Sequence, residues 1–323
     1  VTLASTSVRP GYRPYCVTVA DVTRLTPHFV RVAFEGPDLT DFGTAGVDQR
    51  VKVLLPHADG TVTDIGQDAG AGDWYARWRA LPDERRNPFR TYTVRGIDPV
   101  ARRLTVDFVL HDPAGPAGRW AWAASVGQNL VIVGPDERSP DRAIGLDWRP
   151  GPARRVLLAG DETAAPAICS ILESLAEDLD STVSAGDAFI EVPSAADILP
   201  VRVPAGVRLT WLARDRHPHA TVSRGPAAHG APLTAAVTAW EARGAVDLDD
   251  ARTAEAQDVP DIDVDTETLW DSPDAADGDF YAWIAGEAAT VKRIRRMLVQ
   301  ECGIDRRRVA FMGYWRLGQA ERQ

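Results

Sequence analysis

The run FRTYTVRG at positions 89–96 sets an arginine, a tyrosine and two threonines side by side in a segment with strand character. In a flat strand, period-2 alternation puts Phe89, Thr91, Thr93 and Arg95 on one face and Arg90, Tyr92 and Val94 on the other. Neither face is cleanly apolar. A strand that places polar groups at core positions either uses them on a ligand or lies at a solvated sheet edge. Two other stretches carry a second kind of chemistry. VLLAGDETAAPA (156–167) and AWIAGEAATVKR (282–293) each run strand, Ala-Gly, acid, small residues, helix. Small residues there let a ligand approach the carboxyl end of a strand, where a helix N-terminus offers N–H groups to a phosphate. The same turns join strands to helices in sheets that bind nothing, and neither a G-x-G-x-x-G nor a P-loop is present.

The elements that must position these residues fall into two patterns. Up to about residue 135 the alternation is β: two runs in 15–36, a third in 50–56, a hairpin pair in 89–111 turning about IDP, and a last strand in 127–135. Six short strands with turn signals imply a small barrel. The stretches 73–86 and 118–126 read as its non-strand pieces. After the Pro/Gly-rich LDWRPGPARR (146–155) the period changes. Strand-like RVLLAG leads into a segment where Ile168, Ile171, Leu172 and Leu175 fall at i, i+3, i+4 and i+7, a helix with one buried stripe. Strands follow at 187–193 and 206–213, then a helix at 233–244 closed by Gly244. A strand at 280–286, a helix capped by Gly303 and a strand at 307–315 end the series. Strands alternating with helices mean a parallel sheet covered on both faces. The expected division is a β-barrel domain over 1–145 and an α/β domain over 146–323.

The 323 residues suit two domains, each with its own core. There is no run of 18 or more apolar residues and no apolar stretch at the start, so neither a membrane span nor a signal peptide is expected and the cytoplasm is the expected location. Cys16, Cys169 and Cys302 are far apart and form no C-x-x-C, which leaves no thiolate zinc site or four-cysteine cluster. No metal site is expected; DRHPHATVSRGPAAHG (215–230) reads as a loop from its Pro and Gly content. The net charge of −10 is unevenly spread: residues 244–279 hold 13 acids and one arginine, leaving 33 acids against 35 bases elsewhere. The remainder suits small anionic ligands, and the acidic segment reads as a solvated, partly disordered insertion. Its DIDVD is no calcium loop, because Thr266 and Ser272 stand where glycine and a bidentate glutamate are needed.

RTYTVR, DFVLHDPAGPAGRWA, GQNLVIVGP, LLAGDETAAPAI and WIAGEAATVKRIRRMLVQECGIDRRRVAFMGYWRLGQAE occur in this order. Together they resemble the siderophore-interacting protein family, FAD-containing ferric-siderophore reductases with the ferredoxin–NADP reductase-like arrangement of barrel and α/β domain. The resemblance covers most of residues 12–323 and is weakest in the acidic insertion. It implies that Arg90, Thr91, Tyr92 and Thr93 hold the flavin: the arginine on the pyrophosphate, the ring against the isoalloxazine, the Thr93 hydroxyl toward flavin N5. A flat strand points Thr93 away from Tyr92, so a twist or bend is expected there. Asp107, Val109 and His111 of DFVLH are implied in the same site. So is the turn GPAGRWA, with Ala117 and Trp120 against the dinucleotide and Gly115 and Pro116 permitting close approach. Asp161 and Thr163 are implied to face either the adenylate side of FAD or the nicotinamide cofactor. For the substrate, the family's basic cluster maps onto Lys52 of RVK, Arg138 of GPDERS and Arg316 of GYWR, with Trp315 covering the flavin ring. The two acids before Arg138 depart from the family's GPRGS.

The activity so implied takes hydride from NADPH, or NADH, into FAD and passes single electrons to Fe(III) in a siderophore, releasing Fe(II), which hard-oxygen chelators hold less well. Thr93 and Trp315 stand nearest that chemistry. Arg214 and Arg216, past the end of an inferred strand, are placed for the 2′-phosphate that distinguishes NADPH. The alternatives are a general flavin reductase or diaphorase, and a non-catalytic siderophore-binding protein. No nucleic-acid partner is expected, and the oligomeric state stays open.

Overall fold

The computed structural model describes residues 9–67, 72–111, 114–216, 225–244, 249–253, 257, 262–264, 267–273 and 277–319. The chain divides into two compact units, one of residues up to Leu146 and one of Asp147 onward, with Thr26–His28 grouped in the second.

In the first unit the alternating segments form β1 (Tyr12–Arg24), β2 (Phe29–Glu35), β3 (Arg50–Leu54), β4 (Phe89–Asp98), β5 (Arg103–Val109) and β6 (Asn129–Pro135). They close into an antiparallel barrel in the order β1-β2-β5-β4-β3-β6. Closure leaves no open edge and fixes which face of each strand is inward. Val17, Val32, Phe34, Val53, Val106, Phe108 and Ile132 fill the interior. The Tyr15 hydroxyl, deep in this packing, donates to the Pro135 carbonyl at 2.7 Å. The non-strand stretches become α1 (Trp74–Ala80) and α2 (Pro116–Ala123). Helix α2 starts earlier than the 118–126 reading, because Pro116 at the first helical position is pre-set for a helix start.

The second unit holds β7 (Arg155–Gly160), α3 (Ala165–Glu177), β8 (Ala185–Val192), β9 (Val207–Ala213), α4 (Ala231–Ala242), β10 (Trp270–Asp271), β11 (Phe280–Glu287), α5 (Ala288–Arg295) and β12 (Val309–Trp315). The sheet order is β10-β12-β11-β7-β8-β9. Ile168, Ile171 and Leu172 of α3 are buried as expected, Leu175 is half-buried, and burial runs all round the first half of the helix, Ala165 to Leu172, instead of along one stripe. Gly244 follows α4, and Gly303 follows the π-helical segment Arg296–Glu301 that continues α5, with φ of +56° and +72°, the left-handed conformation that ends a helix at low steric cost.

Two expectations are corrected here. The sheet is mixed, because β10 pairs antiparallel with β12. The acidic segment is also not a purely solvated insertion. Ala251 and Leu269 are each 1% exposed, and Ile262 and Val264 pack on the sheet core. The physical reason is that apolar residues lie between the acids, while cations wait on the sheet side: Arg295 and Arg306 both donate to the Asp271 carboxylate. DIDVD and the histidine-containing loop lie in part outside the described residues.

Phe108 couples the barrel core to the chemistry-bearing strand, since its fully buried ring sits 4.4 Å from that of Tyr92 and 5.3 Å from that of Trp120. Phe108→Ala is expected to destabilise the barrel by about 3–5 kcal/mol in urea unfolding followed by fluorescence. A loss below about 1 kcal/mol would show that the ring is not a keystone.

Candidate functional site

The barrel's part of the site is built on β4. Register with β3 sets Lys52 opposite Thr91, Val53 opposite Arg90, Val51 opposite Tyr92 and Arg50 opposite Thr93. The Lys52 ammonium donates to the Thr91 hydroxyl at 2.5 Å and lies 5.5 Å from the centre of the Phe89 ring. Arg90 is half-buried and donates from Nη1 to the Phe89 carbonyl at 2.7 Å. Thr93 and Val94 are both buried, at 5% and 1%, so the alternation breaks at this point. The pairing of β4 with β5 shifts register between Val94 and Gly96, a bulge that bends the strand just after Thr93.

The Asp107 side chain is engaged within the barrel domain. Its carboxylate, 1% exposed, accepts two parallel bonds from Arg31 at 2.7 and 2.8 Å and stands 3.6 Å from Arg95. Such a bidentate pair braces β2 against β5. Val109 ends β5 opposite Phe29, and His111 follows it half-buried.

At α2 the sequence-predicted residues come together. Gly115 is the N-cap and brings no side chain to the first N–H groups of the helix. A Cβ built on Gly115 meets nothing within 4 Å. Pro116 starts the helix and Ala117 is buried. The Trp120 ring stacks 6.3 Å from Phe34, and its buried Nε1–H has no hydrogen-bond partner among the described residues. A buried N–H without an acceptor costs about 1–3 kcal/mol. Open space, uncapped N–H groups and an orphan donor are the features a dinucleotide phosphate would satisfy.

Arg138 is half-exposed and pairs with Asp41, with Asp136 at 3.6 Å. The two acids that set GPDERS apart have internal work. Asp136 is fully buried, and its carboxylate takes the Arg13 guanidinium at 3.0 Å and the Arg138 N–H at 2.9 Å. Burial acts to raise its pKa, and these donors outweigh that and hold it below the ordinary value. Glu137 accepts the Thr44 N–H at 2.8 Å.

In the second unit the carboxyl ends of the strands converge on Asp161, 1% exposed. One of its oxygens accepts from the Thr163 N–H at 2.9 Å and the Thr163 hydroxyl at 2.5 Å; the other accepts from the Glu287 N–H at 2.7 Å and Trp315 Nε1 at 2.9 Å. Asp161 and Thr163 are therefore brought together with Trp315. Gly286 is required beside them: its φ is +142°, and a Cβ would come within 2.7 Å of the Asp161 carboxylate.

Next to Asp161 lies a buried ion-pair network. Both terminal nitrogens of Arg214 donate to Glu162, at 2.9 and 3.0 Å, and one also to Glu191 at 3.0 Å. The Arg214 side chain is 11% exposed. Arg214, expected to meet a 2′-phosphate past the end of its strand, is held by two buried carboxylates. Glu191 also accepts the Gly230 and Leu233 N–H groups at the start of α4, and Glu287 accepts the Thr290 N–H of α5. His229 Nε2 stands 3.5 Å from Asp161 and 3.6 Å from Glu162, with its ring edge-on to Trp315 at 5.0 Å. Burial acts to lower the His229 pKa; the carboxylates of Glu162, Asp161 and Glu191 outweigh it and raise it above 6.5. For Glu162 burial acts upward, and His229 and Arg214 outweigh it, holding its pKa far below 4.5.

Glu162, Glu191, His229 and Glu287 were missed as site residues by sequence reasoning. Glu162 and Glu287 stood in the two strand-turn-helix units, and His229 in the run DRHPHATVSRGPAAHG, which reads as a loop. Arg316 donates to the Glu267 carbonyl.

Residues 18–139 match the family model described as siderophore-interacting FAD-binding domain, and residues 153–318 that described as siderophore-interacting protein. An uncharacterized protein of Mycobacterium tuberculosis is 32% identical over 94% of this chain and 90% of its own length. Ferric vibriobactin reductase ViuB of Vibrio cholerae is 29% identical over 59% of this chain and 63% of its own. The crystal structure of a siderophore utilization protein from T. fusca covers 98% of both chains at 29% identity with a TM-score of 0.67.

Two outcomes follow from the ion-pair network. Arg214→Ala leaves Glu162 and Glu191 without their cation and is expected to destabilise the second unit by about 3–5 kcal/mol in urea unfolding; a loss under about 1 kcal/mol would deny the network. His229 has a raised folded pKa, so its contribution is full below its unfolded value of 6.5 and fades as pH rises through the folded one. Glu162, depressed, contributes fully above 4.5 and loses that only on acidification. The Tm gap between the native protein and His229→Gln is therefore expected to be widest between pH 4.5 and 6.5 and to narrow above. A gap that stays constant into the alkaline range would contradict this.

Proposed function

The chain belongs to the siderophore-interacting protein family, and from that premise we propose that it is a FAD-dependent reductase of ferric siderophores, taking electrons from a reduced nicotinamide and releasing Fe(II). The observation that carries the reading is the start of α2, where uncapped N–H groups and open space at Gly115 lie in a matched FAD-binding domain, with the unpartnered Trp120 Nε1–H further along the same helix.

When bound, FAD supplies a ring that accepts hydride and gives up electrons singly. The protein's own residues bind and orient. Arg90 pairs the pyrophosphate by charge-assisted hydrogen bonds, and the α2 N–H groups take the remaining anionic oxygens. Tyr92, backed by Phe108, offers an aromatic face. Thr93 Oγ1 presents a proton from a side chain that burial and the adjacent bulge hold in place. Lys52, Arg138 and Arg316 attract the anionic ferric chelate, each oriented by an internal acceptor. Fe(II) leaves because hard oxygen donors hold it less well than Fe(III).

The donor is NADPH or NADH. Action in the cytoplasm belongs to the same proposal; among the described residues no helix is long and apolar enough to cross a membrane.

The test is anaerobic titration of the flavin spectrum with each nicotinamide, followed by ferric siderophore, ferricyanide or free flavin. Fast reoxidation by the ferric siderophore with Fe(II) formed is expected. Reoxidation by ferricyanide or free flavin alone would make the protein a diaphorase, and a colourless protein that binds chelate would make it a binding module. Mass analysis of the flavin released on denaturation is expected to give FAD. Arg90→Ala is expected to weaken FAD binding by about 2–3 kcal/mol, on the order of a hundredfold. Lys52→Ala should keep its flavin and lose about 1 kcal/mol toward the chelate, more at low salt. Recovery of Lys52→Ala without flavin would overturn this division.

A further inference from the structure

Three consecutive residues at the end of β12 are held from two sides. The register of β12 with β11 slips here, Gly286 pairing with Gly313 and Glu287 with Trp315, so that Tyr314 is an extra residue in the strand and Arg316 follows its last residue. Trp315 is tied to Asp161. Along the edge of β12 away from β11 lies the acidic segment. The Leu269 carbonyl accepts the Gly313 N–H at 2.8 Å, and Trp270 and Asp271 pair antiparallel with Met312 and Phe311. The Trp270 ring stacks on that of Tyr314, 5.7 Å between centres and 14° between planes, and its Nε1 donates to Asp147 at 3.2 Å. The Glu267 carbonyl accepts from Arg316. The segment is itself anchored, since Asp271 takes Arg295 Nη2 at 2.8 Å and Arg306 Nη2 at 3.3 Å, and Arg295 is 3% exposed.

We infer that residues 267–271 form a clasp that positions Arg316 for the ferric chelate, so that the acidic insertion sets substrate affinity without touching substrate. The substrate half of this inference rests on the function proposed above. Four attachments made within five residues, to backbone and side chains alternately, leave the last turn of β12 little freedom. A long arginine loses rotamer entropy when a ligand immobilises it. Orientation by the Glu267 carbonyl and a stacked neighbour removes part of that loss in advance. Trp270 is the residue on which this turns, because it joins Asp147, Tyr314 and the β10–β12 pairing. It is a positioning residue.

The experiment compares Trp270→Ala, Trp270→Phe, Arg316→Ala and the double variant Trp270→Ala/Arg316→Ala in the flavin-loaded full chain. Reduction by nicotinamide is measured first, then reoxidation by ferric siderophore as a function of its concentration. Trp270→Ala is expected to raise the half-saturating chelate concentration about five- to tenfold with reduction by nicotinamide unchanged, and Trp270→Phe to restore it by stacking. In the double variant the two effects are expected to fall short of additivity, as for residues acting through one contact. Hydrogen exchange is read in parallel, with faster exchange of the Gly313 amide expected in both variants that carry Trp270→Ala and not in Trp270→Phe or Arg316→Ala. Additive effects, an unchanged half-saturating concentration or unchanged exchange at Gly313 would each overturn the clasp. A native protein that is reduced by nicotinamide yet ignores ferric chelates would overturn the proposed function instead, while the exchange measurement still decides whether the clasp holds β12.

Discussion

The second unit depends on one carboxylate. Asp161 stands in the turn after β7, and its four short hydrogen bonds reach the start of α3, the junction of β11 with α5 and the last residue of β12. In a parallel sheet the strands pair by backbone, but nothing in the ladder fixes how the turns at their carboxyl ends lie against one another. A buried carboxylate must be met by donors or become costly. Here the demand is met by groups from separate elements, which makes their relative placement a condition of burying Asp161 at all. Gly286 follows from the same constraint, because a side chain there would meet this carboxylate.

Around that point the charges solve one another. Glu162 and Glu191 are 2% and 0% exposed and carry the Arg214 guanidinium between them. Glu191 further closes the start of α4, and Glu287 the start of α5. Side-chain acceptors thus fill helix starts that a phosphate could otherwise use. The barrel is arranged the other way, with Gly115 leaving the start of α2 open. Helix α3 likewise starts without a side-chain cap at Ala164, so the filled starts are those of α4 and α5.

The barrel and the alternating half were legible in the sequence because their signal is periodicity. Alternation in 15–36 and 89–111 and the spacing of Ile168, Ile171 and Leu172 are local patterns that burial enforces. The break at Thr93 was legible too, since polar residues on both faces of FRTYTVRG could not sit in a flat core strand. What was not legible was pairing at long range. Arg214 reads as a charge after a strand, and nothing local announces that Glu162 and Glu191, 52 and 23 residues away, wait for it. Asp107 reads as a ligand residue because its motif does, while its partner Arg31 comes from another strand. The acidic segment misled through composition: thirteen acids outweighed, in the reading, the spaced Ile262, Val264, Leu269 and Trp270 that actually dock.

That docking also answers a question the sheet poses. A parallel sheet built only from β12, β11, β7, β8 and β9 would leave the outer face of β12 as a row of unpaired N–H and C=O groups, a template for pairing with another chain. A two-residue strand is among the shortest devices that can cover such an edge, and antiparallel pairing lets it arrive from a loop with no crossover helix. The edge of β12 lies next to residues 314–316, so covering it and fixing them are one structural act. Selection for an unexposed edge and selection for an oriented arginine would therefore favour the same residues. The clasp keeps its acids at the rim, where they stay hydrated or meet Arg295 and Arg306, and turns its apolar residues inward. A chain can carry strong negative charge in this segment without placing an unpaired carboxylate in the core.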